Sequence, residues 1–233
     1  TIEGSDVNHI KNVLRMRPGE KIRVCTRNGQ NYFCSISDIT ESFVRADILE
    51  KEAESTELPC RIYLFQGLPK NDKMELIIQK TVELGVYTVI PVAMKNCVVK
   101  LDDKKAKSKV TRWQAIAESA AKQSKRSLIP EVKMPMSYKE AVAYAKKLDV
   151  KLVPYENEHG MAGTKAAMEQ IKKGESIAVF IGPEGGFAPE EIALVQDEMQ
   201  LISLGKRILR TETAGIAALA ILGYQLESSD MIE

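Results

Sequence analysis

SIAVFIGPEGGFAPEEIALV, residues 176–195, carries the clearest architectural signal in the chain. Its opening, SIAVFIG, is a short apolar run rich in strand-forming side chains and reads as a buried strand. The glycine-bearing turn IGPEGG at 181–186 ends it. Pro189, at the first position of a helix with Glu190 and Glu191 beside it, starts the next element. Strand, loop and helix in immediate succession make one βα unit, and the alternation runs through the chain from Cys60 onward. CRIYLFQGL (60–68), VYTVIPV (86–92), VKLVPY (150–155) and LISLG (201–205) read as strands. NDKMELIIQKTVELG (71–85) reads as a helix with Met74, Ile77, Ile78 and Thr81 on one side and Gly85 as its stop. A longer helix over 108–125 carries Trp113, Ile116 and Ala120. The pattern predicts an α/β domain with a mostly parallel sheet.

Upstream the pattern changes. Val7, Ile10, Val13 and Leu14 keep helical spacing up to the turn at Pro18-Gly19. IRVCTR (22–27) and QNYFCSIS (30–37) are β-rich and meet across Asn28-Gly29, a pair that tolerates the positive φ of a type I′ hairpin. With FVRADIL (43–49) they make a small antiparallel sheet. The segment EKEAESTELP (50–59) is acidic and lacks apolar periodicity, so it reads as a linker. The expected division is residues 1–58 and 59–233, with the boundary near Leu58.

Composition sets outer limits. Hydrophobic residues make up 44% and charged residues 28% of 233, ordinary values for a soluble globular protein. No run of about 18 uncharged apolar residues could span a bilayer, so no membrane association is expected. The start, TIEGSDVNHIKN, has no apolar core of a secretory signal, and a cytoplasmic location is expected. Cys25, Cys34, Cys60 and Cys97 form no C-x-x-C pair, and His9 and His159 lie far apart, so no metal is expected. Free thiols agree with a reducing compartment. A net charge of +1 gives no global pull on nucleic acid, so any such binding must come from local basic clusters.

IGPEGG lies at the carboxyl end of a strand, where open α/β sheets bind ligands. It is neither a P-loop nor a G-x-G-x-x-G fingerprint, and a tight turn that needs glycine for its backbone would also account for it. A second loop tips the balance. LGKRILRTETAG, Leu204 to Gly215, follows another strand and leads into the apolar AGIAALAILGYQL. Lys206, Arg207, Arg210, Thr211 and Glu212 crowd a connection that would ordinarily be brief and neutral, although Thr211 or Thr213 could cap the helix and Arg210 could pair with Glu212. Main-chain groups exposed at both loops suit the edge of an adenine, and the glycines admit a purine and a ribose close to the backbone.

Three basic clusters accompany the loops. Lys11, Arg15, Arg17, Lys21, Arg23 and Arg27 fall on the short helix and hairpin against Glu20 alone, a plausible phosphate-contacting face. Lys104, Lys105, Lys107, Lys109 and Arg112 form the second, and Lys122, Lys125, Arg126 and Lys133 the third. Solvated charge runs are the alternative for each.

Several segments, in order, carry a resemblance. They are HIKNVLRMRPGEKI (9–22), GLPKNDKMELIIQKTVELG (67–85), NCVVKLDDKKAK (96–107), RWQAIAESAAKQSKRSLIPEV (112–132), IGPEGGFAPEEI (181–192) and LGKRILRTETA (204–214). The chain resembles the RsmE family, the uracil-N3 methyltransferases of small-subunit (16S) ribosomal RNA, over nearly its whole length. That family is of the SPOUT class. The resemblance therefore implies a PUA-like RNA-binding β-barrel over 1–58, and over 59–233 an α/β domain with a trefoil knot that binds S-adenosyl-L-methionine. It also implies a homodimer acting on 16S rRNA within the small ribosomal subunit.

Carried over by motif, Ile181, Gly182, Pro183, Glu184, Gly185 and Gly186 give one wall of the cofactor site. Leu204, Gly205, Ile208, Leu209, Arg210, Thr213 and Ala214 give the second, and Val153, Pro154 and Tyr155, by position, a third. Lys11, Arg15, Arg17, Arg23 and Arg27, with Gln123 and Arg126, become the RNA-facing candidates. Uracil N3 carries a proton, so methylation there calls for a base and for a cation to stabilise the uracil anion. Glu212 and Arg210 sit in the right loop for those roles, with Glu184 as a rival base.

Overall fold

The computed structural model describes residues 1–26, 30–52 and 55–228. Arg27 and the Asn28-Gly29 turn lie outside them. The chain divides into two compact units, Thr1–Glu57 and Leu58–Glu233.

In the first unit, β1 (Ile2–Glu3), β2 (Lys21–Cys25), β3 (Asn31–Ile39) and β4 (Phe43–Lys51) form an antiparallel sheet in the order β1-β4-β3-β2. Register shifts between Phe33 and Cys34 and between Ile36 and Asp38 bulge β3. Such bulges bend a strand and add twist, which curls the sheet around its core. That core is Val7, Ile10, Ile36 and Val44, with Ile2, Met16, Ile22 and Ile39 against it. The expected helix over residues 7–14 is cut short. Helix α1 spans Ser5–Asn8 and continues as a π-helical turn, His9–Val13. The wider turn rotates the later positions off the apolar face, so Val7 and Ile10 are buried while Val13 and Leu14 are exposed.

The second unit is built on β5 (Arg61–Gly67), β6 (Thr88–Ala93), β7 (Glu131–Val132), β8 (Met136–Ser137), β9 (Val150–Pro154), β10 (Ser176–Ile181) and β11 (Gln200–Ile202). Their order is β11-β9-β10-β5-β6-β7, with β8 beside β6, and every pairing is parallel. All six residues of β10 are buried, as expected of a central strand covered on both faces. Phe65 and Phe180 are in register on β5 and β10 and stack at 4.3 Å between ring centroids.

The helices are α2 (Lys73–Glu83), α3 (Asp103–Gln123), α4 (Tyr138–Ala145), α5 (Ala162–Glu169), α6 (Pro189–Ala193) and α7 (Thr211–Ser228). Helix α2 packs on α3 and α7, and α7 also meets β5 and β10. Helix α3 starts five residues before the sequence pattern suggests. Asp102 caps it by accepting the Lys105 amide at 2.8 Å, and the charged first turns hide this start from any apolar count. Helix α7 also starts early, at Thr211, with the Ala214 amide donating to the Arg210 carbonyl at 2.8 Å. Thr211 to Ala214 therefore belong to a helical turn rather than to the loop in which the sequence placed them.

Strands β5, β6 and β7 step outward one way, whereas β9 lies on the far side of β10, with β11 beyond it. The strand order thus reverses beside β5 and β10. In open α/β sheets, the carboxyl ends of the strands at such a reversal frame the ligand crevice.

Candidate active site

Both glycine loops lie at this crevice, where they enclose a cavity of about 710 Å³. That volume falls in the range of small-molecule sites. Pro154 and Tyr155 line one side; Ile181, Gly182, Pro183, Glu184 and Gly186 come from the first loop; Leu204, Gly205, Ile208, Leu209 and Arg210 come from the second; Ala214 adds a contact from α7. Three expected residues stand apart from the walls. Val153 points into the sheet core and is fully buried. Thr213 is exposed on the outer side of the first turn of α7. A side chain on Gly185 would meet Asn96 at 3.0 Å, and the Asn96 amide donates to the carbonyls of Gly185 and Gly186 at 3.0 and 3.2 Å. Gly185 is needed for that fit and not for space in the cavity.

The loops are fixed from below. The Thr211 hydroxyl donates to the Gly182 carbonyl at 2.6 Å and accepts from Gln66 Nε2 at 2.9 Å, so buried Gln66 on β5 ties the start of α7 to the first loop. Next to it, a Cβ on Gly67 would stand 2.7 Å from the Pro183 nitrogen, a backbone approach that only glycine allows. The second loop is held by Thr164, which donates to the Ser203 carbonyl at 2.8 Å and accepts the Ser203 amide at 3.0 Å. Gly205 turns that loop at φ 114°, outside the range of other L-residues.

Several charged groups on the wall escaped the sequence reading, Lys73 first among them. Lys73, the first residue of α2, lines the cavity and places its Nζ 3.1 Å from Glu184 Oε1 and 3.2 Å from Glu212 Oε2. Glu184 Oε1 also accepts the Lys70 amide at 3.0 Å. Contact with Glu184, and then with Glu212, outweighs desolvation and raises the Lys73 pKa, so the ammonium persists. Burial works against the Glu184 carboxylate, but the amides of Glu184 and Lys70 and the Lys73 ammonium prevail and hold its pKa below the usual value. Glu212 stands behind Lys73. Its Oε2 is buried, outside the cavity lining, and no hydrogen bond among the described residues reaches it, although the ion pair does. Glu156, Glu158 and His159 also line the cavity. Lys73 was detectable in principle. It follows the strand CRIYLFQGL at the start of a helix, at the same end of the sheet as IGPEGG.

The candidate RNA contacts fare unevenly. Arg126 is 8% exposed and donates Nη1 to the carbonyls of Val82 and Val86 at 3.0 and 2.7 Å. It caps the carboxyl end of α2 and cannot face RNA, because its donors satisfy carbonyls that the helix leaves open. Arg126→Ala is expected to cost about 2–4 kcal/mol of stability, read by urea unfolding, with RNA affinity of the folded protein unchanged. Gln123, the last residue of α3, is exposed. Arg15 and Arg17 are exposed, but Lys11 pairs with Glu41, and Arg23 Nε lies 2.8 and 2.9 Å from the Glu52 carboxylate oxygens. Glu41 and Glu52, distant in sequence, return to a face that looked uniformly basic. In the second cluster Arg112 pairs with Glu75 through two contacts of 2.8 Å. Among the described residues, no cluster of three His, Cys, Asp or Glu could hold a metal, and no helix is long and apolar enough to cross a membrane.

Comparison with known proteins gives concordant matches. The family model for the RNA methyltransferase domain matches residues 56–223, and that for the RNA methyltransferase PUA domain matches residues 2–49. The ribosomal RNA small subunit methyltransferase E of Bacillus subtilis is 39% identical over 231 residues, covering 97% of this chain and 90% of that protein. The crystal structure of the ribosomal RNA small subunit methyltransferase E of Neisseria gonorrhoeae, bound to S-adenosyl methionine, is 33% identical with a TM-score of 0.81, covering 96% and 90% of the two chains. A Legionella pneumophila methyltransferase in complex with the same cofactor is also 33% identical, with a TM-score of 0.79 and coverage of 94% and 88%.

Proposed function

The chain belongs to the RNA methyltransferase family, and from that premise we propose that it methylates N3 of a specific uridine in 16S ribosomal RNA, using S-adenosyl-L-methionine. The observation that carries this reading is the cavity of about 710 Å³ between the two glycine loops, at the reversal point of the sheet. Its residues fit the cofactor. Leu204, Ile208, Leu209 and Pro154 offer apolar surface to a purine, and Glu156 and Glu158 offer negative charge to a ligand bearing ammonium and sulfonium groups. The bound cofactor supplies a methyl group on sulfur, and the electron pair of the broken S–C bond stays with the sulfur.

The protein has two tasks: holding the uracil nitrogen about 3–3.5 Å from that methyl, and helping N3 lose its proton. Glu184 is the carboxylate on the cavity wall, and we assign it the role of base. Arg210, also on the wall, is a cation for the target nucleotide. Glu212 keeps a part in the reaction, exerted from behind the wall through Lys73.

The unit over residues 1–58 is assigned to holding the rRNA, so that the target base can be unstacked into a site on the unit over 59–233. Exposed Arg15 and Arg17 support that assignment. A trefoil knot belongs to the same reading. It is supported by the path of the chain, which leaves edge strand β11 and returns through residues 203–210 to bond Thr211 to Gly182 at the end of central β10. A homodimer is supported by Leu194, Ile208 and Tyr224, large apolar side chains left exposed at 48%, 86% and 75%. An rRNA substrate supports a cytoplasmic location. In a strain lacking the gene, 3-methyluridine should vanish from 16S rRNA by nucleoside mass spectrometry; its persistence would contradict the assignment.

A further inference from the structure

The Lys73 ammonium is held between two carboxylates yet lies on the cavity wall, which neither loop motif foretells. Glu184 and Glu212 come from different parts of the chain, the first loop and α7, and α2 brings a single cation to both at 3.1 and 3.2 Å. The two acids are placed differently. Glu184 lines the cavity and is anchored by the Lys70 amide, whereas Glu212 is not part of the lining and its Oε2, the oxygen that pairs with Lys73, is buried. A cation whose only task was to neutralise Glu184 would not need a second carboxylate from outside the cavity lining. Glu212 balances the charge of Lys73 while Glu184 is occupied with a proton.

We propose that Lys73 is the cation that faces the uracil during methyl transfer, with Glu212 as the positioning residue that holds it there. The proposal rests on the uridine-N3 reading. The N3–H proton passes to the Glu184 carboxylate, the N3 lone pair forms the N–CH3 bond, and the S–CH3 electron pair remains on sulfur. As N3 loses its proton, negative charge spreads over the flanking carbonyl oxygens of the base, where an ammonium lowers the energy of the transition state. When Glu184 becomes neutral, Lys73 loses that partner but keeps Glu212, so neither ion is left unpaired in a partly buried site.

The test uses the full chain, Lys73→Met and Lys73→Arg, and small ribosomal subunits reconstituted on 16S rRNA transcripts carrying uridine or 5-fluorouridine. The electron-withdrawing fluorine makes N3–H more acidic and reduces the need for a cation. Lys73→Met is expected to lower kcat about 100-fold on uridine RNA but about tenfold on 5-fluorouridine RNA, with Lys73→Arg restoring most of the loss and cofactor affinity by calorimetry within about threefold of wild type. An equal loss on both RNAs, a parallel loss of cofactor affinity, or an undiminished kcat in Lys73→Met would overturn the proposal while leaving the uridine-N3 reading intact. If the wild type forms no 3-methyluridine on uridine RNA, that reading fails and the proposal with it.

Discussion

Glu184→Gln is expected to lower turnover by about two to three orders of magnitude while changing cofactor affinity less than about fivefold. Glutamine has the same shape and keeps an oxygen for the Lys70 amide, which Glu184 accepts at 3.0 Å, so the loop should hold its place. What disappears is the negative charge and the capacity to take the N3 proton at the cavity wall. Glu212→Gln should cost less, about tenfold, because Glu212 is not part of the cavity lining and acts through its ion pair with Lys73. Steady-state methylation at saturating cofactor, with calorimetry on the same samples, reads both effects. A larger loss for Glu212→Gln than for Glu184→Gln would return the role of base to Glu212.

Gly205→Val should weaken cofactor binding by about one to two orders of magnitude. At φ 114° the backbone of residue 205 is in a region that a β-branched residue enters only with strain, on the order of 1–3 kcal/mol. A Cβ there meets no atom within 4 Å, so the effect comes from backbone strain on the cavity wall and not from a clash at Cβ. Each 1.4 kcal/mol of strain relieved by moving the loop away from its ligand-ready position is about a tenfold loss of affinity. Calorimetric titration of the folded variant measures the loss, and binding within threefold of wild type would remove the second loop from the site.

Much of this architecture was legible because its signals are local. The run SIAVFI announces a strand buried on both faces, and the loop after it lies where α/β sheets bind ligands. Less legible was anything set by distant partners. Arg126 reads as one member of a basic run, yet it is buried because α2 ends where its guanidinium reaches the Val82 and Val86 carbonyls. Lys11 and Arg23 look free until the sheet brings Glu41 and Glu52 to them. Gly185 sits in the right motif, but a side chain there would meet Asn96, far away in sequence, and not the cavity. Lys73 is the same kind of case: only the packing of α2 against the start of α7 shows that one ammonium serves both Glu184 and Glu212.

If the two glycine loops bind S-adenosyl-L-methionine between them, a crystal structure of this protein grown with the cofactor will show it. Ligand density is expected between residues 181–186 and 204–209, with the methyl group on the side of Lys73 and Glu184. Cofactor density anywhere else on the chain, with this cavity filled only by solvent, would contradict it.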